Sequence, residues 1–89
     1  MQNEIPRALR WACRRGMLEL DVLLGNFLEE AYLKASIDDQ KTFVALLNCN
    51  DQELFMWLTG KEKTHHPEFI DLIGKIREHA KIRKHPAFF

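Results

Sequence analysis

The groups through which this chain could do acid–base, nucleophilic or metal chemistry are 4 histidines, 2 cysteines and 13 carboxylates, and their spacing decides among those options. His65 and His66 are adjacent, while His79 and His85 lie six apart. Two metal ligands on one helix face need a separation of three or four, so these side chains are expected to be solvated rather than ligating. Cys13 and Cys49 are distant in sequence and form no CxxC pair, which points to reduced thiols packed in a core. No Gly-rich phosphate loop, nucleophile elbow or HExxH occurs, and the adjacent Asp38 and Asp39 are accounted for as acids in the first turn of a helix. No residue is assigned to catalysis, to a cofactor or to a metal, and the chain is not expected to be an enzyme.

One stretch stands apart. Arg14-Arg15-Gly16-Met17-Leu18-Glu19-Leu20-Asp21 concentrates charge around a glycine. Read locally, Arg14 and Arg15 complement a helix C-terminus, Gly16 supplies a positive-φ stop, and Glu19 and Asp21 complement the next N-terminus. Read as a surface, Gly16 has no side chain to hold a partner's backbone away, and Arg15 and Glu19 flank it with opposite charge. That arrangement suits a protein interface.

These residues need helices to position them. No run alternates as a half-buried strand would, whereas apolar residues recur at helical spacing between punctuating residues, so the fold class is all-α, a compact bundle of about five helices. Pro6 opens a first helix that runs to about Arg14. From Met17 to about Leu33, Leu20, Leu23, Leu24, Phe27, Leu28, Ala31 and Tyr32 share one face of a second. Gly25 within it marks either close packing or a bend. Ser36 caps a third helix with a stripe of Phe43, Val44, Leu46 and Leu47 that ends near Asn48. Asp51 is the expected N-cap of a fourth over Gln52 to Leu58, with Leu54, Phe55, Trp57 and Leu58 inward and Gly60 as its stop. Pro67 opens a fifth whose Phe69, Ile70, Leu72, Ile73, Ile76, Ala80 and Ile82 face the core. Fraying is expected from about His85.

The 89 residues suffice for a single domain, residues 1–89, with a thin core. The longest apolar runs fall far below the roughly 18 residues that cross a bilayer, and Met1 to Pro6 lacks a signal or transit pattern, so a cytoplasmic chain without membrane insertion is expected. Net charge is zero, yet Lys75 to Lys84 holds five basic residues against Glu78 alone. A neutral domain lacks the field that recruits nucleic acid, although a local basic helix can still do so.

Trp11-Ala12-Cys13-Arg14-Arg15-Gly16 followed by Glu19-Leu20-Asp21 resembles the RGxxE signature of the succinate dehydrogenase flavinylation factors, the SdhE (YgfY) family. Asp38-Asp39, Phe43, Leu46-Leu47, Cys49, Asp51, Leu54-Phe55 and Trp57-Leu58 resemble the same family's second half. The likeness spans about Arg7 to Leu58 and departs at two helix starts, Ile37 and Gln52. It implies an assembly factor that binds the flavoprotein subunit of succinate dehydrogenase, and often of fumarate reductase, and assists the bond between a client histidine and FAD; a monomer is expected. It implies a partner-binding set of Arg14, Arg15, Gly16, Met17, Glu19 and Asp21, with FAD belonging to the client. The competing class is a regulatory module, antitoxin-like, that binds nucleic acid or protein through Arg7, Arg10, Arg14 and Arg15 or through the basic fifth helix. Glu19 and Asp21 beside those arginines would repel phosphate.

Overall fold

In a computed structural model of the chain, residues 4–83 are described. The expected fraying from His85 lies outside them. Five α-helices follow in order: α1 Arg7–Ala12, α2 Leu18–Ala31, α3 Ile37–Leu46, α4 Asp51–Leu58 and α5 Pro67–Arg83. A short 3-10 turn, Tyr32–Lys34, finishes what the sequence reads as the end of the second helix.

Helix α2 is the hub, because its buried face of Leu20, Leu23, Leu24, Phe27 and Leu28 meets α5, α4 and α1. Helix α3 in turn lies on α5. Phe43 is fully enclosed at the centre, with its ring 5.6 Å from Phe27 and 5.8 Å from Tyr32. The Cα radius of gyration is 12.2 Å, close to the ~12 Å of a packed domain of this length.

The helix ends follow their local chemistry. Ser36 Oγ accepts from the Asp39 N–H at 3.0 Å, so the N-cap of α3 is the expected one. Helix α4 begins one residue earlier than expected: Asn50, not Asp51, is its N-cap and accepts from Glu53 N–H. Asp51 is thereby released into the first turn with its carboxylate available to a partner. At the other end, Gly60 adopts φ +81 while Lys61 N–H donates to Met56 O and Gly60 N–H to Trp57 O. That is a Schellman stop, and the Arg77 guanidinium lies over the bare Gly60.

Three inward assignments are corrected by one geometric rule. Phe43, Leu54 and Phe69 each open a pattern in which the following residue was also expected inside. Instead Val44 is 41% exposed, Ile70 is 58% exposed and Phe55 is half-buried. Residues at i, i+3 and i+4 span an arc of about 100°, and residue i+1 falls roughly 60° beyond its edge. Ile82 sits nearly opposite the buried arc of α5 and is exposed. Trp57, Leu47 and Leu24 are buried as expected. Helix α2 runs unbroken through Gly25, and a Cβ there would meet nothing within 4 Å, so close packing does not explain this glycine. His79 is not solvated: its ring stands edge-on to Phe27 at 5.6 Å and its Nε2 lies 2.9 Å from Glu30.

Phe43→Ala should therefore lower stability by about 3–5 kcal/mol in urea titrations, while Phe55→Ala should cost under about 2 kcal/mol. Equal losses for the two would contradict this description of the core.

Candidate functional site

The charged stretch is the junction between α1 and α2, and it divides into residues turned inward and residues turned outward. Cys13 closes α1, and Arg14 N–H still donates to Trp11 O at 3.0 Å. Gly16 then takes φ +80, the left-handed conformation that a side chain would strain. Met17 is the extended N-cap residue of α2 and packs half-buried on the core.

Arg15 makes the junction rigid. Its side chain is only 14% exposed, and it crosses to the α3–α4 connection. Nε donates to Asp51 Oδ1 at 2.8 Å, Nη1 to Leu47 O at 2.8 Å and to Ala12 O at 3.0 Å, and Nη2 to Cys49 O at 2.6 Å. Its own N–H donates to Asp21 Oδ1 at 2.6 Å. One planar fork thus satisfies carbonyls at the ends of α1 and α3 and pairs with a carboxylate in the first turn of α4. Arg15 does not flank Gly16 as an outward charge.

What faces outward is Arg14, Gly16 and, half-buried, Glu19. Among the described residues neither Arg14 nor Glu19 has an ion-pair partner. Two large apolar side chains flank them in sequence: Trp11 is 70% exposed and Leu18 67% exposed. Exposed Trp and Arg are residue types enriched at protein interfaces. Sequence reading placed Trp11 within a motif and assigned Leu18 nothing. The available signal was that each lies off the apolar stripe of its own helix.

The family described as "Flavinator of succinate dehydrogenase" matches residues 7–80. The chain belongs to that family. The match extends past Leu58, where the motif resemblance ended, and takes in most of α5. Among curated relatives, the "FAD assembly factor SdhE" of Vibrio vulnificus (strain CMCP6) is 44% identical over 83 residues, covering 91% of this chain and 96% of the relative. The protein of that name in Shewanella oneidensis is 46% identical over 72 residues, covering 81% and 88%. That of Colwellia psychrerythraea is 47% identical over 74 residues, covering 83% and 81%.

Within this member of the flavinator family, the thiols near the junction are quiet. Burial pushes the Cys13 thiol up to about 12 even though Arg15 pulls the other way, and burial also raises Cys49. Neither is an activated nucleophile.

Two outcomes are expected. Arg15→Ala should cost about 2–4 kcal/mol of stability, because it leaves carbonyls of Leu47 and Cys49 and the Asp51 carboxylate without their donor, and Arg15→Lys should recover only part. A urea midpoint indistinguishable from wild type would reduce the fork to a surface pair. For Cys13, the unfolded thiol ionises from pH near 9 while the folded one stays neutral until about 12. Unfolding then releases a proton, so this stabilising contribution is complete below pH 9 and declines as pH rises towards 12. Relative to Cys13→Ala, wild-type stability should fall across that window, as followed by circular dichroism; parallel curves would contradict it.

Proposed function

We propose that this chain is a cytoplasmic assembly factor, monomeric and without catalytic groups, that docks on the flavoprotein subunit of succinate dehydrogenase or fumarate reductase and promotes its covalent flavinylation. The family match over residues 7–80 is the observation that carries this reading. The proposed docking surface is the outward half of the junction: Arg14, Gly16 and Glu19, with Arg15, Met17 and Asp21 as positioning residues behind it. Rigid presentation supports the role, since an interface held in its bound shape loses less conformational entropy on association.

The mechanism follows from what the client must do for itself. It supplies the FAD site, the histidine and the electrophilic flavin. A partner that binds the client conformation with histidine and flavin aligned raises the population of that state, and alignment alone accelerates bond formation. FAD remains the client's cofactor. Four of the cations are engaged within the fold: Arg10 with Glu29, Arg15 with Asp51, Lys75 with Asp39 and Asp71, Arg83 with Glu30. Those pairings neutralise Arg10 and Arg15 of the first basic set and Lys75 and Arg83 of α5, and Glu19 and Asp21 set negative charge close to Arg14, which disfavours a nucleic-acid-binding reading. No helix among the described residues is long and apolar enough to cross a membrane.

Glu19 discriminates between a local and a docking role. A charge in the first turn of an exposed helix contributes about 0.3–1 kcal/mol to folding. An interface anchor costs ~2 kcal/mol or more when truncated, at least roughly thirtyfold in affinity. Glu19→Ala should melt within a few degrees of wild type yet fail to support covalent FAD on the client, read as in-gel flavin fluorescence after denaturation. Gly16→Arg should fail likewise, with Gly16→Ala reporting how much of its defect is the left-handed backbone. Full flavinylation by folded Glu19→Ala and Gly16→Arg would remove the docking assignment. The isolated chain should leave FAD fluorescence unchanged at micromolar concentration, whereas stoichiometric flavin binding would replace docking with cofactor carriage.

A further inference from the structure

Beside the junction, α1 and α2 part to leave an open cleft of about 430 Å³. Val22, Gly25 and Leu28 lie along it, and the space at the glycine is open: a Cβ at Gly25 would touch nothing within 4 Å. At one end the cleft is closed by Arg10, whose Nε and Nη2 donate to Glu29 at 2.7 and 3.1 Å. At the other end it runs into the docking stretch through Arg14 and Asp21.

Its charges are unequally available. Arg10 and Glu29 neutralise each other, and the Arg10 hydrogen bond holds the Glu29 carboxyl below its ordinary range. Asp21 is tied to the Arg15 backbone N–H. Arg14 alone among the charged groups lining the cleft has no partner among the described residues. The cleft therefore offers an apolar floor with one unpaired cation at its mouth, on the side that adjoins Gly16.

We infer that the α1–α2 cleft is a second part of the client-docking surface, which receives an aliphatic side chain of the flavoprotein over Gly25 while Arg14 pairs with a carboxylate beside it. Charge complementarity specifies the acid, and continuity with Gly16 and Glu19 specifies that the same partner supplies it. This inference rests on the docking reading above, with which it shares Arg14, and extends it to Val22, Gly25 and Leu28, which lie outside the RGxxE stretch.

Gly25 permits a test in which folding and binding move in opposite directions. It lies in the interior of α2 with open space at its Cβ, so Gly25→Ala and Gly25→Leu should raise the melting temperature or leave it unchanged. With the purified flavoprotein subunit of succinate dehydrogenase as probe, Gly25→Leu should weaken binding at least tenfold by calorimetry, Gly25→Ala less. Arg14→Gln should also weaken binding and flatten its dependence on salt between 50 and 300 mM, since it removes a charge pair. If Gly25→Leu binds the subunit within twofold of wild type while Glu19→Ala does not, the cleft is not part of the interface and the inference falls alone. If Glu19→Ala also binds normally, the docking reading falls with it. If Gly25→Leu abolishes self-association, measured by sedimentation, and leaves client binding intact, the occupant is a second copy and the inference is overturned.

Discussion

The arrangement of this bundle depends on one guanidinium. A helix end leaves carbonyls without intrahelical partners, and a small domain with short helices has many such ends and little interior in which to hide them. Arg15 gathers two of these ends in one place. It carries donors to Ala12 at the end of α1 and to Leu47 and Cys49 just after α3, and it pairs with Asp51 at the start of α4. Two connections that would otherwise drift against each other are thereby held as one body. The consequence for the surface is positional: because Arg15 points inward and its backbone N–H is fastened to Asp21, the left-handed Gly16 and the first turn of α2 are presented in a fixed orientation.

The same fastening explains why motif and structure divide the labour differently. In an RGxxE pattern both charges look like surface groups, yet here the arginine is internal and the glutamate external. The effective outward charge is Arg14, one residue earlier, joined by Trp11 and Leu18. Binding and folding are therefore carried by interleaved residues of one short segment. A substitution that damages the segment has to be sorted by its effect on melting before it says anything about docking.

Helix number, order and the stops at Gly16 and Gly60 were legible in the sequence because they are local: capping residues, positive-φ glycines and helical spacing each act within a few positions. The inward face of α2 was legible because its stripe is long enough to fix the phase of the helix. Where an apolar residue directly follows the one that opens a stripe, as Val44 follows Phe43, Phe55 follows Leu54 and Ile70 follows Phe69, composition marks both as core, but the period admits the first of them and the pair three and four positions on. Asn50 beside Asp51 posed a different ambiguity, since either is a good cap, and in the fold Asn50 caps while Asp51 pairs with Arg15 from another connection. The acceptors of that arginine were invisible in the sequence, because three of the four are main-chain carbonyls.

Those main-chain acceptors have a consequence for how such a chain can drift. Every residue type carries a carbonyl, so substitutions at Ala12, Leu47 or Cys49 do not remove an acceptor from the fork so long as the backbone keeps its course. The hereditary burden of joining the two connections falls on Arg15 and, through its carboxylate, on Asp51. Mutational exposure is thus concentrated at two codons, and the three carbonyl-bearing positions remain open to side-chain change as far as this link is concerned.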